Sequence, residues 1–172
     1  MKKILLVLLL FSFSYAGLLV HPEKVMKENF PEATEIKKKN FLILKSQAKE
    51  IERLSNMKLK SKIVPVFIAR KDNQVLGYGI LHIHKVRTKN EAVLISLTPD
   101  CKVLDVEVIA FYEPPEYIAP ENWLKLFEGK GKQDNLKLRQ GIPNITGATL
   151  TARAVADAVR QSVAICEVVL KK

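Results

Sequence analysis

The strongest constraint on the fold is a series of four apolar runs between Ile63 and Tyr112, separated by short polar turns. Ile63 to Ala69 is rich in Val, Ile and Phe, and Asp72-Asn73 then marks a turn. Val75 to Val86 follows, with Gly77 and Gly79 early in it, and the pair reads as a hairpin. Ala92 to Leu97 is a third strand, closed by Pro99-Asp100, and Val103 to Tyr112 is a fourth. Strands joined by such short turns predict an antiparallel sheet. Glu113-Pro114-Pro115 ends it, because proline cannot donate to a ladder.

Helical signals flank the sheet. Pro22 to Asn29 reads as a short helix, and Thr34 to Leu44 holds strand-like residues interrupted by Lys37 to Lys39. Ser46 to Ser55 reads as a helix with Ser46 as N-cap. Pro120 to Phe127 is a short helix stopped by Gly129 and Gly131. Leu150 to Leu170 is a long one, with an apolar stripe through Ala154, Val155, Ala158, Val159, Ser162 and Val163, and a wet face through Arg153, Asp157, Arg160 and Gln161. The expected class is therefore α+β: a single domain with an antiparallel sheet packed by helices and a long C-terminal helix. A length of 172 residues suits one domain.

The N-terminus carries an address. Lys2-Lys3 precedes the unbroken apolar run Ile4 to Leu10, and Ser14-Tyr15-Ala16 offers small residues where a signal peptidase cuts. This predicts a signal peptide over 1–16. The rival is an uncleaved anchor over 4–20, near the lower length limit for a span. Either way the domain is expected outside the cytoplasm, in the periplasm or cell envelope. Its organisation reads as 17–60, an N-terminal helical and strand segment, followed by 61–172, the main domain.

Charge and cysteine content narrow the function. The formal net charge of +10 falls to +8 without Lys2 and Lys3, so the remainder stays basic and favours acidic partners or anionic lipid surfaces. Its lysines are scattered, and the tightest run, Lys37 to Lys39, has no aromatic interleaving beyond Phe41, which argues against nucleic acid. Cys101 and Cys166 sit in no CxxC or CxxCH, which excludes a c-type haem or dithiol site by motif. They could pair in an oxidising compartment, but the favoured reading is two small buried apolar residues.

One segment carries chemistry. Asn144-Ile145-Thr146-Gly147-Ala148-Thr149-Leu150-Thr151 is a small-residue turn opening the last helix. Free backbone N–H groups and the helix dipole favour an anion there. Gly147 and Ala148 let a bulky group approach the backbone, and Thr149 and Thr151 supply hydroxyls. The bland alternative is that Thr146 or Thr149 merely caps the helix.

Thr146-Gly147-Ala148-Thr149 resembles the (S/T)GAT motif of the FMN-binding domain family. That family includes flavin-carrying subunits of Rnf-type and Na+-translocating quinone reductase complexes. The resemblance extends over 61–171. Val75 to Gly79 is similar to the family's Gly-containing early strand, Glu113-Pro114 to its Glu-Pro signature, and Phe127, Gly129 and Lys130 to its Phe-x-Gly-Lys segment. It implies FMN joined covalently through a phosphoester to the last Thr of the motif, here Thr149, by an exported flavin transferase. Thr146, Gly147, Ala148, Leu150, Thr151, Glu113 and Lys130 are the further residues it implies at the cofactor, with the ring near Glu113-Pro114 and Phe127 to Lys130. The implied role is an electron carrier between a membrane electron-transport complex, or an exported redox protein, and a quinone or extracytoplasmic acceptor. One departure stands out: the family often has Asp three residues before the motif, where this chain has Pro143. That position supports the alternative of a ligand-binding or interaction domain of the same fold without flavin.

Other candidates are weaker. His82 and His84 alternate along one strand, but a catalytic zinc needs three protein ligands and no third is near, so they are expected to line a polar sheet face. Asp105 and Glu107 share a strand face that exposure alone would explain. Trp123, Phe127 and Tyr117 could pack near a flavin ring, although helical spacing makes them ordinary core residues. No GxSxG, P-loop or GxGxxG is present, and no dedicated acid or nucleophile points to a stand-alone enzyme.

Overall fold

The computed structural model describes residues 17–171; the signal peptide or anchor reading falls mostly on residues outside that range. Five strands form one antiparallel sheet in simple sequential order: β1 (Glu35–Leu42), β2 (Ile63–Lys71), β3 (Gln74–Lys85), β4 (Asn90–Leu97) and β5 (Val103–Phe111). The four apolar runs become β2 to β5. The strand-like, lysine-rich stretch adds the fifth strand, pairing with β2 from Glu35 opposite Arg70 to Leu42 opposite Ile63. Its charge is tolerated because an edge strand faces solvent. The Lys38 and Lys39 ammonium groups lie over the rings of Phe67 and Phe41.

Each sheet face has its own cover. The larger core lies beneath α2 (Lys45–Ser55) and α4 (Thr149–Ile165), where Val155, Val159 and Val163 meet Val66, Ile80, Ile95 and Val106. On the opposite face α1 (Pro22–Asn29) is followed by Phe30, and Met26 and Phe30 pack against Phe67, Ala69 and Leu94. Gly77 and Gly79 make that approach feasible: a Cβ at Gly77 would collide with the Phe30 ring, and one at Gly79 with Met26 Sδ. The short helix α3 (Glu121–Leu124) and the 3-10 turn Lys125–Phe127 hold Trp123 and Phe127 edge to face in the main core, rings 5.2 Å apart.

Four sequence expectations need correction. Cys101 and Cys166 are not two isolated apolar residues; they form a disulfide with Cα atoms 5.6 Å apart. The long helix runs back across the sheet, so its end reaches the β4–β5 turn, a proximity that no local pattern encodes. Beyond Ile165 that helix continues as a π-helical turn, Cys166–Leu170, whose Leu170 carbonyl accepts a hydrogen bond from the Tyr78 hydroxyl at 3.1 Å. Helix α2 starts at Lys45, so Ser46 lies inside its first turn; Gln47 Oε1 accepts the Leu44 N–H at 2.9 Å. Asp105 and Glu107 are not on a wet face, because α1 packs over them. Asn29 Nδ2 donates to Asp105 Oδ2 at 3.0 Å, and burial, then Asp105, raises the pKa of Glu107. Finally, His82 and His84 point toward α4 rather than lining a polar face. Burial, then the neighbouring His84, lowers the His82 pKa to about 4, and His84 Nε2 meets Glu91 Oε2 at 2.7 Å, with Glu91 fully buried.

Candidate functional site

The segment before α4 forms a tight turn, closed by the Ala148 N–H donating to the Ile145 carbonyl at 3.2 Å. Gly147 sits at φ +84, a left-handed conformation that glycine adopts without strain. Its position follows from the backbone rather than from crowding, since a Cβ there would meet open space. Helix α4 then begins at Thr149, with Ala148 at the N-cap position and no side-chain cap. Neither Thr146 nor Thr149 caps the helix, so the bland reading of these hydroxyls fails. The first-turn amides of Thr149, Leu150 and Thr151 have no acceptor one turn back and stay available to an anion.

Thr149 is held in a defined orientation. Its Oγ1 accepts a hydrogen bond from Asn144 Nδ2 at 2.9 Å, while Asn144 Oδ1 is buried without any partner. The preceding loop is tied down by Trp123, whose Nε1 donates to the Pro143 carbonyl at 2.8 Å. Thr151 is different: its hydroxyl is buried and donates to the Tyr117 carbonyl at 2.7 Å, so it fixes α4 against the 115–117 turn and is not free for a ligand.

A cavity of about 270 Å³ opens in front of Thr149, lined by Gly147 to Thr151 together with Val86, Arg87, Glu113 and Tyr117. Glu113 is 5% exposed. Its Oε1 accepts the backbone N–H groups of Arg87 (3.1 Å), Thr88 (2.5 Å) and Lys89 (2.7 Å). These hydrogen bonds, led by Lys89 and Thr88, hold its carboxyl below the usual carboxylate range. Its charge is thus spent on the β3–β4 turn, and it shapes the cavity wall rather than offering a free acid. The same turn sets Arg87 at the cavity, a cation near the helix start.

The residues expected from sequence divide accordingly. Thr149, Gly147, Ala148, Leu150, Thr151 and Glu113 share this cavity. Thr146 is exposed at the turn beside it. Lys130 is elsewhere: its carbonyl accepts the N–H of Val103, the first residue of β5, whereas Glu113 lies just past the strand's other end, roughly 30 Å along the strand. Phe127 and Trp123 belong to the core. Arg87, Val86 and the orienting role of Asn144 escaped the sequence reading. A cation in a hairpin turn looks like any solvated lysine or arginine until the register sets the turn against α4. Among the described residues no group of three or more His, Cys, Asp or Glu is arranged to hold a metal.

The cavity can hold an FMN-like group. A phosphate fits the open first-turn amides beside Arg87, and Val86, Tyr117 and Leu150 give apolar surface for a ring.

Comparison with known proteins agrees with this geometry. Residues 89–164 match the model of a family described as the FMN-binding domain; that stretch runs from the β3–β4 turn through the Glu113 wall to the end of α4. A subunit of the Na+-translocating ferredoxin:NAD+ oxidoreductase complex of Acetobacterium woodii is 25% identical over 132 residues, covering 69% of this chain and 64% of that protein. The chain thus spans a little under two thirds of the relative's length. Over residues 89–164, somewhat under half of its length, the chain is similar to the FMN-binding domain family.

Proposed function

We propose that this protein is an exported flavoprotein electron carrier with FMN joined by a phosphoester to Thr149 Oγ1. The observation that carries the reading is the Thr149 hydroxyl itself: oriented by Asn144, at the open amides of a 17-residue helix, and facing a cavity with an apolar wall. Residues Thr149 to Thr151 hold the phosphate through their N–H groups, Arg87 offsets its charge, and Val86, Leu150 and Tyr117 shield the ring from water. When bound, the flavin supplies the reversible uptake of electrons, and the protein sets its position and surroundings.

Export is supported by the signal-like sequence of 1–16 and by the Cys101–Cys166 disulfide, a bond that persists in oxidising compartments. An exported flavin transferase would attach the cofactor. The relative's place in a Na+-translocating complex supports a membrane electron-transport complex as the partner, and the basic surface suits an acidic redox partner or an anionic membrane surface. No helix of the described residues is long and apolar enough to cross a membrane.

A second reading is a ligand-binding domain without covalent flavin. It is favoured by one feature, Pro143 in place of an acid before the motif, with its carbonyl already engaged by Trp123. Co-expression with an exported flavin transferase, then in-gel flavin fluorescence after denaturation, separates the two. The carrier reading expects fluorescence in the wild type and in Thr146→Val, and none in Thr149→Val. A dark wild type, in cells where another substrate of the transferase is modified, favours the ligand-binding reading.

A further inference from the structure

Strands β2 and β3 part company at one end. Their pairing runs from Lys71 opposite Gln74 to Val66 opposite Ile80 and then stops, although β2 extends back to Ile63 and β3 on to Lys85. The separation is not fraying. On its far side β2 still pairs with β1 as far as Ile63 opposite Leu42, and β3 pairs with β4 as far as Lys85 opposite Asn90. What opens between them is a cleft of about 460 Å³, roofed by α4.

The chemistry of its wall is specific. His82 lines the cleft, and its Nε2 is buried with no hydrogen-bond partner. A buried polar atom left unpaired costs free energy, so a site that completes its bonding gains affinity. The imidazole is neutral at physiological pH, because burial lowers its pKa to about 4. It therefore offers one neutral hydrogen bond and no charge. Val64 and Ala158 supply apolar walls, and His84, joined to the buried Glu91, stands at the same wall. The charged groups on the lining stand apart from this part of it: Lys58, Lys60, Lys85 and Arg153 are exposed, and Asp157 is paired with Arg160. An uncharged, carbonyl-bearing, largely apolar ring suits the buried part.

The position adds a second constraint. Val86 and Leu150 line both this cleft and the Thr149 cavity, so a single layer of side chains separates the two. Exposed Ile63 and Ile83 flank the mouth, which suits entry of a lipophilic molecule.

We propose that the β2–β3 cleft binds the head group of a quinone, with His82 Nε2–H donating to one of its carbonyl oxygens. Bound there, a quinone takes two electrons and two protons from the reduced flavin, its two carbonyls becoming hydroxyls while the flavin returns to its oxidised form. The electron-transfer half of this assignment rests on the flavin reading above; the binding half does not.

The test uses full-length protein labelled with 15N-histidine, both flavin-loaded and as flavin-free Thr149→Val, titrated with menadione, a naphthoquinone without an isoprenoid tail. The two cysteines are paired, so no free thiol consumes the probe. The expected result is a saturable shift of the His82 ring signals in both proteins while those of His21, outside the cleft, stay still. His82→Phe weakens binding about tenfold, the worth of one hydrogen bond, and His82→Gln, which keeps a donor, retains most of it. In the loaded protein, menadione reoxidises reduced flavin more slowly in His82→Phe than in wild type. His82 signals that do not move up to the probe's solubility limit overturn the proposal, and this readout needs no variant to fold. So does binding that is indifferent to His82→Phe, or that is lost in Lys60→Gln and displaced by a short-chain fatty acid, which would mark a site for anionic amphiphiles. Binding without faster reoxidation overturns the electron-transfer half. If no flavin attaches but Thr149→Val still binds menadione at His82, the carrier reading fails and the site stands.

Discussion

Reducing the Cys101–Cys166 disulfide should cost the protein a large part of its stability. The bond closes a loop of 65 residues between the β4–β5 turn and the end of α4. Cross-linking that loop removes unfolded-state entropy worth about 4 kcal/mol in the chain-entropy treatment. Domains of this size are stable by only about 5–15 kcal/mol, so the effect is large. With a urea dependence of about 2 kcal/mol per molar, the unfolding midpoint should fall by roughly 2 M. The assay is equilibrium urea unfolding of oxidised protein, of protein reduced and held reduced, and of the Cys101→Ala/Cys166→Ala double variant. The last two should agree within the cost of losing two buried sulfurs. Equal midpoints for oxidised and reduced protein would refute the reasoning. So would uptake of an alkylating reagent by denatured protein that has never met a reductant, since the bond would then be absent.

Three further outcomes follow from the same geometry. His82 has a folded pKa of about 4 against an ordinary value of 6.5, so between these values the unfolded chain binds the proton and the native state does not. Stability therefore falls as pH drops from 6.5 toward 4, by about 2 kcal/mol at pH 5, and His82→Leu should flatten that slope in urea unfolding measured across pH. Glu113 has a depressed pKa, so its contribution is present above the unfolded value and lost as pH falls through the folded one. Glu113→Gln should lower stability at neutral pH and remove part of the acid sensitivity, seen as converging thermal midpoints at low pH. Asn144→Ala frees the Thr149 side chain, and should cut flavin incorporation several-fold while shifting stability by about 1 kcal/mol or less, as read by in-gel fluorescence beside a melting curve.

Much of the fold was legible because it is written locally. Alternating apolar runs and short turns mark β2 to β5, and the Pro22 and Leu150 regions carry clear helix patterns. The edge position of β1 was harder, since Lys37 to Lys39 mask a strand whose inward contacts are few. What the sequence hid depends on elements meeting across the fold. The disulfide needs the end of α4 to reach the β4–β5 turn. Asp105 and Glu107 look solvated until α1 is laid over them, and His82 looks polar until the roof of α4 buries it. At the site, the turn before Thr149 is a local signal and was found as such. The Glu113 clamp on the 87–89 amides joins residues some 25 apart, and only the register of β4 and β5 brings them together. Lys130 was carried to the cofactor by motif resemblance alone, and its backbone bond to Val103 keeps it at the other end of β5.

Peptide mass mapping reads the covalent bond to Thr149 residue by residue. Trypsin should release the peptide 140–153, bounded by Arg139 and Arg153 and containing Thr146, Thr149 and Thr151. After co-expression with an exported flavin transferase, this peptide should gain the mass of one FMN less one water. Fragmentation should assign the added mass to Thr149, and the peptide from Thr149→Val should be unmodified. An unmodified wild-type peptide, or an adduct on Thr146 or Thr151, would contradict it.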